Sequence, residues 1–454
     1  MKKLFAAALL LCTTVSYAQH QAQLDSSSLV NLFGAGTLHG HLRSFFSSNF
    51  NKSTDVEYAQ AIGGGIQFIS KPIHHIKVGV SGVFINDLFS SDLTKANPLS
   101  GAINRYEIGL YDITDPSKKT NLNRLEELYI QYQKNKTTIT LGKQLLNTPF
   151  INLQDGRMRP SVVQGLWIQH KNKENKYYAG WLNRFSPRST VAWYKTGESI
   201  GLYPSGINID GLKAGYKNSL ESSGVALVGA EIGSIKNYKI QIWNQYVQNM
   251  FNSVFFQIDK TPNAKQPYYY GLQIITQTVV NKGGNNDPAK TYFNPGQSSL
   301  VLGARVGKKI NSWDYAFNYT RITKQGRYLM PREWGRDPMY TFLMGERNEG
   351  LGDVSAYVVK AKYTAPKLPL TINFGAGYFN LPSVTNFALN KYSFPSYMQY
   401  NLDIRYAFKG FWKGWEAQMI YFYKDATGNT YNNPKYYINK VDMGHFNFIV
   451  NFHF

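Results

Sequence analysis

From about residue 36 to its end the chain alternates apolar and polar side chains with a period of two. In the last segment Phe446, Phe448, Val450, Phe452 and Phe454 share one phase, and His445, Asn447, Asn451 and His453 the other. Leu300, Leu302, Ala304 and Val306 are set against Arg305 and Lys309 in the same way, and Leu402, Ile404 and Tyr406 against Asn401, Asp403 and Arg405. Successive side chains of a strand point to opposite sides of a sheet, so each such segment has one oily and one polar face. The pattern predicts strands near 36–46, 57–69, 75–86, 124–133, 137–144, 162–170, 176–184, 223–233 and 237–246. Further strands follow near 253–260, 267–280, 298–308, 312–323, 353–364, 370–380, 396–408, 414–424 and 441–454, eighteen in all. Residues 207–217 also alternate and are assigned to a long loop.

A soluble sandwich buries the oily face; a transmembrane barrel turns it to lipid and the polar face to a watery lumen. Three features favour an all-β, closed antiparallel transmembrane β-barrel. Aromatic residues gather at strand ends, at Tyr177–Tyr178, Tyr268 to Tyr270, and Trp412 with Trp415, as in an interfacial girdle. Segment lengths lie near the roughly 9–11 residues of a tilted membrane strand. The chain ends on Phe454 after alternating aromatics, the form of a signal read by outer-membrane assembly machinery. Connections alternate between short turns, such as Lys134-Asn135-Lys136, and long loops near 87–123, 145–161, 185–222, 281–297, 324–352, 381–395 and 425–440. That asymmetry belongs to outer-membrane barrels, with short turns on the periplasmic side and long loops outside.

The N-terminus reads as an address. Lys2 and Lys3 precede an apolar stretch, and Ser16-Tyr17-Ala18 fits a signal-peptidase site, so residues 1–18 are expected to be cleaved. Residues 19–35 would be a periplasmic lead-in and 36–454 the barrel. The single cysteine, Cys12, leaves with the leader, so no disulfide framework is available. Aromatics make up 15% of the 454 residues, which excludes a disordered chain.

The formal charge is +21, from 49 Lys and Arg against 28 Asp and Glu. Such a surplus often marks nucleic-acid binding. Here the basic residues are spread through turns, loops and alternating strands of an exported chain, so no nucleic-acid partner is expected, and outer-membrane lipid headgroups suit the rim charges better. Arg43, Lys77, Arg305, Lys360, Lys362 and Arg405 fall on the polar phase of their strands and are candidates for a basic ladder along the lumen. Glu231, Asp314, Asp403 and Glu416 are the carboxylates read on that phase. Arg321 falls on the aromatic phase, as an interfacial anchor would.

Residues 145–161 begin apolar and end in a compact charged group, Asp155, Arg157 and Arg159. An apolar start suits a loop folded back into the lumen, where fixed charges at the narrow point sort solutes by sign. The run Gly142-Lys143-Gln144 to Asn147-Thr148-Pro149, with Asp155-Gly156-Arg157-Met158-Arg159-Pro160 and Gln164-Gly165, resembles the third-loop region of OprD-like outer-membrane porins. Met344-Gly345-Glu346-Arg347 through Gly350-Leu351-Gly352-Asp353 resembles a later long loop of the same family, and the segments around Gln241–Asn249 and Ser253–Asp259 look similar too. The resemblance implies a passive, substrate-selective channel with an eyelet built from inward-folded loops and a lumenal ladder of basic residues. It also implies a monomer or loose oligomer.

On this reading the pore passes small solutes, with a preference for anions or carboxylate-bearing molecules. An oligosaccharide or polysaccharide channel, with Trp167, Trp243 and Tyr129 as a sliding track, is one alternative; a closed-barrel adhesin or receptor is another. No catalytic group, cofactor or metal site is expected. His39 and His41 share a phase with Arg43, but two histidines spaced this way on a strand serve as polar lining.

Overall fold

The computed structural model describes residues 36–52, 54–154, 156–263 and 265–454. The expected leader (1–18), the periplasmic lead-in (19–35) and Asp155 lie outside the described residues. The first strands are β1 (Thr37–Asn51), β2 (Glu57–Ile69), β3 (Ile76–Ser90), β4 (Leu122–Lys134), β5 (Thr137–Gln144), β6 (Val162–Asn172), β7 (Asn175–Ser186) and the two-residue β8 (Tyr194–Lys195). They continue with β9 (Val225–Ile232), β10 (Tyr238–Val247), β11 (Phe251–Lys260), β12 (Tyr268–Val279), β13 (Ser298–Ile310) and β14 (Trp313–Ile322). The last are β15 (Val354–Thr364), β16 (Leu370–Asn380), β17 (Tyr397–Ala407), β18 (Trp415–Ala426) and β19 (Met443–His453).

β8 touches only the end of β7, inside a loop, and β7 pairs directly with β9. The other eighteen strands form one antiparallel wall. It closes where β1 meets β19, from His41 opposite His453 to Asn51 opposite Met443. Beyond β19 the backbone of Phe454 exchanges hydrogen bonds with Gly40 at 2.9 and 3.0 Å, completing the seam at its short-turn end. Closure leaves no unpaired sheet edge, which hydrocarbon would penalise by several kcal/mol for each unsatisfied group.

The turns explain the register. Three links at the short-turn end hold only two residues: Asn135–Lys136, Lys173–Glu174 and Asn311–Ser312. Each opens on a residue with positive φ, of 51°, 56° and 51°, the conformation that matches the twist of a tight hairpin.

Face alternation is clearest in β12. Tyr268, Tyr270, Leu272 and Ile274 are exposed on the outside, while Tyr269, Gln273, Ile275 and Gln277 are buried inside. Leu302, Val306, Phe317, Val359, Phe374 and Phe448 continue the exposed oily face around the barrel. Outside the membrane such a surface would be a severe liability; in lipid it is the solvated side.

The inward face is not uniformly polar. In the half nearest the long loops Trp243, Val247, Phe255, Ile275, Val301, Ile322, Val354, Val358 and Phe379 point inward and are buried. They form one core with Leu146, Phe150 and Ile151 from loop 145–161 and with Leu329, Met330, Trp334, Met339 and Leu343 from loop 323–353. A second core sets Phe45, Ala59, Ala61 and Ile85 against Ile108, Leu110 and Tyr111 of loop 91–121 and Met158. The expectation of a wet passage along every strand is corrected here: the outer half of the lumen is packed with folded-in loops, because these inward apolar residues need cover.

Candidate functional site

The wall's inward polar side chains hold the loops by their carbonyl groups. Arg43 Nη1 donates to Arg157 O at 2.6 Å and its Nε to Asn451 at 2.7 Å. Gln277 donates to Leu329 O, Gln273 to Pro338 O, Lys360 Nζ to Tyr340 O and Lys424 Nζ to Gly345 O, at 2.6–2.9 Å. Gln399 and Asn401 both donate to Met344 O, at 2.7 and 2.8 Å. A buried carbonyl must find a donor, so a loop crossing the lumen needs such a row.

The loops are also tied to each other. Glu333 Oε1 accepts from the backbone N–H of Gly201 and Tyr203, at 2.9 and 3.0 Å. Trp334 stacks on Phe185 with centroids 4.5 Å apart and donates to Ser199 Oγ at 2.9 Å. The buried Lys391 lies 3.2 Å from Glu349 and within about 5 Å of the rings of Tyr216, Tyr292 and Tyr392. Burial opposes the ammonium charge of Lys391, but Glu349 and the tyrosines outweigh it and its pKa is raised. Arg332 shares the same glutamate at 3.7 Å. Four loops meet in this network.

Inside this frame the loops leave a cavity. Six cations line it: Arg105, Arg157, Arg188, Arg332, Arg347 and Lys424. Two carboxylates do so, Glu346 and Glu349. Tyr106, Tyr203, Tyr392, Phe394 and Phe422 supply apolar wall. Gly109 lets Arg157 in, since a Cβ there would stand 2.3 Å from Arg157 Nε. Burial brings Arg188 down to about 10; burial, then the charges of Arg188 and Arg332, bring Arg347 down to about 10.

Glu346 is raised to about 8 by burial and then by Asp337, which burial itself raises to about 6. A carboxyl with a raised pKa is neutral below it and charged above it. Raising the pH from about 7 to about 9 is therefore expected to add negative charge to the cavity and weaken any anion preference. Current–voltage recordings across that range check this, and Glu346→Gln is expected to flatten the response.

The residues singled out in the sequence have separate placements. Arg157 lines the cavity, whereas Arg159 turns away and donates to Thr190 O at 2.5 Å. Arg43 and Lys360 hold loop carbonyls, as above. Arg305 is ion-paired with Asp259 at 2.8 Å and lies 4.6 Å from the Tyr340 ring centroid. Lys77, Lys362 and Arg405 lie towards the short-turn end, with Lys362 in register with Asp314 and Arg405 at 3.9 Å from Glu416. Phe454 is exposed at the seam. Arg321 is paired with Asp353 at the long-loop end of β14.

Sequence reasoning missed Arg105, Arg188 and Arg332, which sit in aperiodic loops, and assigned no pore role to Arg347 or Lys424. It also missed the inward carboxylates Asp259 and Glu126. Trp167, Tyr178 and Trp243 stack in a row at 5.7 and 4.9 Å. Trp167 and Trp243 lie flat on Gly180 and Gly229 of neighbouring strands, where a Cβ would approach within 2.4 Å. Trp243 is 1% exposed beneath the loop core, so its face is not available as a sliding track. Among the described residues no group of His, Cys, Asp and Glu is arranged to hold a metal.

Residues 110–286 match the family model for outer membrane porin, OprD family. The fold is similar to that of Pseudomonas aeruginosa OpdK solved with vanillate, at a TM-score of 0.69 and 13% identity, covering 93% of this chain and 99% of that one. It is similar to Acinetobacter baumannii OccAB1 at a TM-score of 0.70 and 13% identity, covering 95% and 99%. Pseudomonas aeruginosa OccK9 (OpdG) gives 0.69 and 13%, covering 93% and 99%. Comparison with curated protein sequences gives no match.

Proposed function

We propose that the chain is an OprD-like outer-membrane porin, a passive channel whose solutes are small anions or carboxylate-bearing molecules selected at the cation-lined cavity. The observation that carries this reading is the charge of that lining: six basic side chains against two carboxylates, one of which is already bound to Lys391 and Arg332. Low-dielectric walls focus such a field, so an approaching anion is drawn in and a cation turned back. The apolar wall of Tyr106, Tyr203, Phe394 and Phe422 suits the carbon skeleton behind the anionic group. Vanillate, named with the similar OpdK structure, is a carboxylate with a ring behind it.

The basic residues towards the short-turn end, Lys77, Lys362 and Arg405, would carry the anionic group onward once it leaves Arg157. Passage needs binding weak enough to release, which hydrated lysines beyond a tighter arginine group provide. The test is the reversal potential of the reconstituted protein under a potassium chloride gradient. A chloride-side reversal is expected. A potassium-side reversal overturns the reading, and the absence of any steady current would favour a closed barrel.

A further inference from the structure

The cavity has more positive charge than one carboxylate can answer. Arg105, Arg157, Arg188, Arg347 and Lys424 have no carboxylate within 4.0 Å among the described residues. Their recorded hydrogen bonds go to neutral oxygens: Arg105 to Asn439 O, Arg157 to Gly156 O, Arg347 to Gly335 O and Gln154 Oε1, and Lys424 to Gly345 O. Three donors in the same lining are buried without any acceptor: Arg157 Nε, Arg188 Nε and Tyr203 Oη. Orphaned buried donors are costly and rare in a native protein. Guanidinium groups in particular are shaped to meet charged oxygens in pairs.

The acidic side of the cavity does not balance this. Glu349 is fully engaged by Lys391, Arg332 and the Tyr392 hydroxyl. Glu346 has one oxygen near the Leu343 N–H and the other without a partner, and its raised pKa of about 8 leaves it a neutral donor at pH 7. Asn447 Oδ1 is also unpartnered in the lining, where its amide can present an N–H, and His445 Nδ1 faces Glu107 Oε1 at 3.7 Å. Nothing among the described lining residues offers a free carboxylate to a cationic group on a solute.

We propose that this eyelet selects solutes bearing two anionic groups and rejects those whose second group is cationic. The proposal rests on the reading of the cavity as the pore's selectivity site. One anionic group meets Arg157 and Arg188 with the Tyr203 hydroxyl; the second meets the guanidinium groups of Arg105 and Arg347, with the Lys424 amine as a further donor. A monoanion satisfies only part of this set, and a zwitterion places its ammonium among like charges, where no described carboxylate receives it.

Three four-carbon probes isolate the charge count: succinate, butyrate and 4-aminobutyrate, each added to single channels in planar bilayers at pH 7. Succinate is expected to interrupt the chloride current at a concentration about tenfold or more below that of butyrate, with 4-aminobutyrate the weakest. Arg188→Gln, or Arg347→Gln should the first fail to assemble, is expected to bring the succinate and butyrate values within about threefold of each other. Lys413→Gln, which removes one charge from an exposed turn, should leave their ratio unchanged. An anion-selective channel blocked equally by succinate and butyrate overturns this inference and leaves the proposed function standing. A channel that prefers potassium to chloride overturns both.

Discussion

Replacing Arg188 and Arg347 together by glutamate is expected to abolish the anion preference proposed for the channel. The lining then holds four cations and four carboxyl groups instead of six and two, so its formal charge falls by four, from +4 to zero with every group counted as ionised. A unit charge at roughly 8–15 Å acts with about 1–2 kcal/mol at an effective dielectric of about 20. Four units of change therefore exceed the ~1.4 kcal/mol that corresponds to a tenfold ratio, even after salt screening. The permeability ratio from reversal potentials should fall at least about tenfold towards unity, with the barrel's heat-modified gel mobility unaltered. Arg188 and Arg347 are suited to this test because neither holds the wall: neither is ion-paired to a described carboxylate, and Arg347 bonds only loop oxygens. A double variant that assembles and keeps the original ratio would show that solutes bypass this cavity.

The outside of the barrel was legible because lipid imposes one rule on every strand. An exposed apolar residue at every second position and tight turns at one end together leave little choice of architecture, and loop 145–161 carried its own apolar signal for folding inward. The inside obeys no single rule. Phe255 points inward on the same phase as Gln257 and Asp259, so the alternation of β11 looks confused and hides the carboxylate that pairs with Arg305. The same residues held an unread signal. Inward Trp243, Ile275, Val354, Val358 and Phe379 all lie in the half of their strands nearest the long loops, where an aqueous lumen would leave them wet. Apolar residues on the lumen phase at one end of many strands mean that loops cover that end. The arginines of the cavity come from those loops, where neither period nor spacing marks them, and only the folded arrangement brings Arg105, Arg188, Arg332 and Arg347 together.

That arrangement depends on Glu349. Its carboxylate receives the Tyr392 hydroxyl at 2.8 Å and Lys391 Nζ at 3.2 Å, with side chains of Glu349 and Lys391 1% and 3% exposed. Breaking a buried ion pair by removing one partner costs about 3–5 kcal/mol, because the remaining charge has no water and no counter-ion. Glu349→Gln is therefore expected to release the loops rather than unfold the wall, whose backbone hydrogen bonds it does not touch. Loops 323–353 and 381–396 should exchange amide hydrogens faster while the strands remain protected, and single-channel current should become noisier and larger as the cover loosens. Pairing the change with Lys391→Met removes the stranded ammonium and should recover part of the protection, with Arg332 still lacking the carboxylate it shared. If Glu349→Gln alone leaves loop exchange and current unchanged, the eyelet is held by the carbonyl contacts of Gln277, Lys360, Gln399 and Lys424 without help from the ion pair, and the loops would then be fixed from the wall inward rather than from their meeting point.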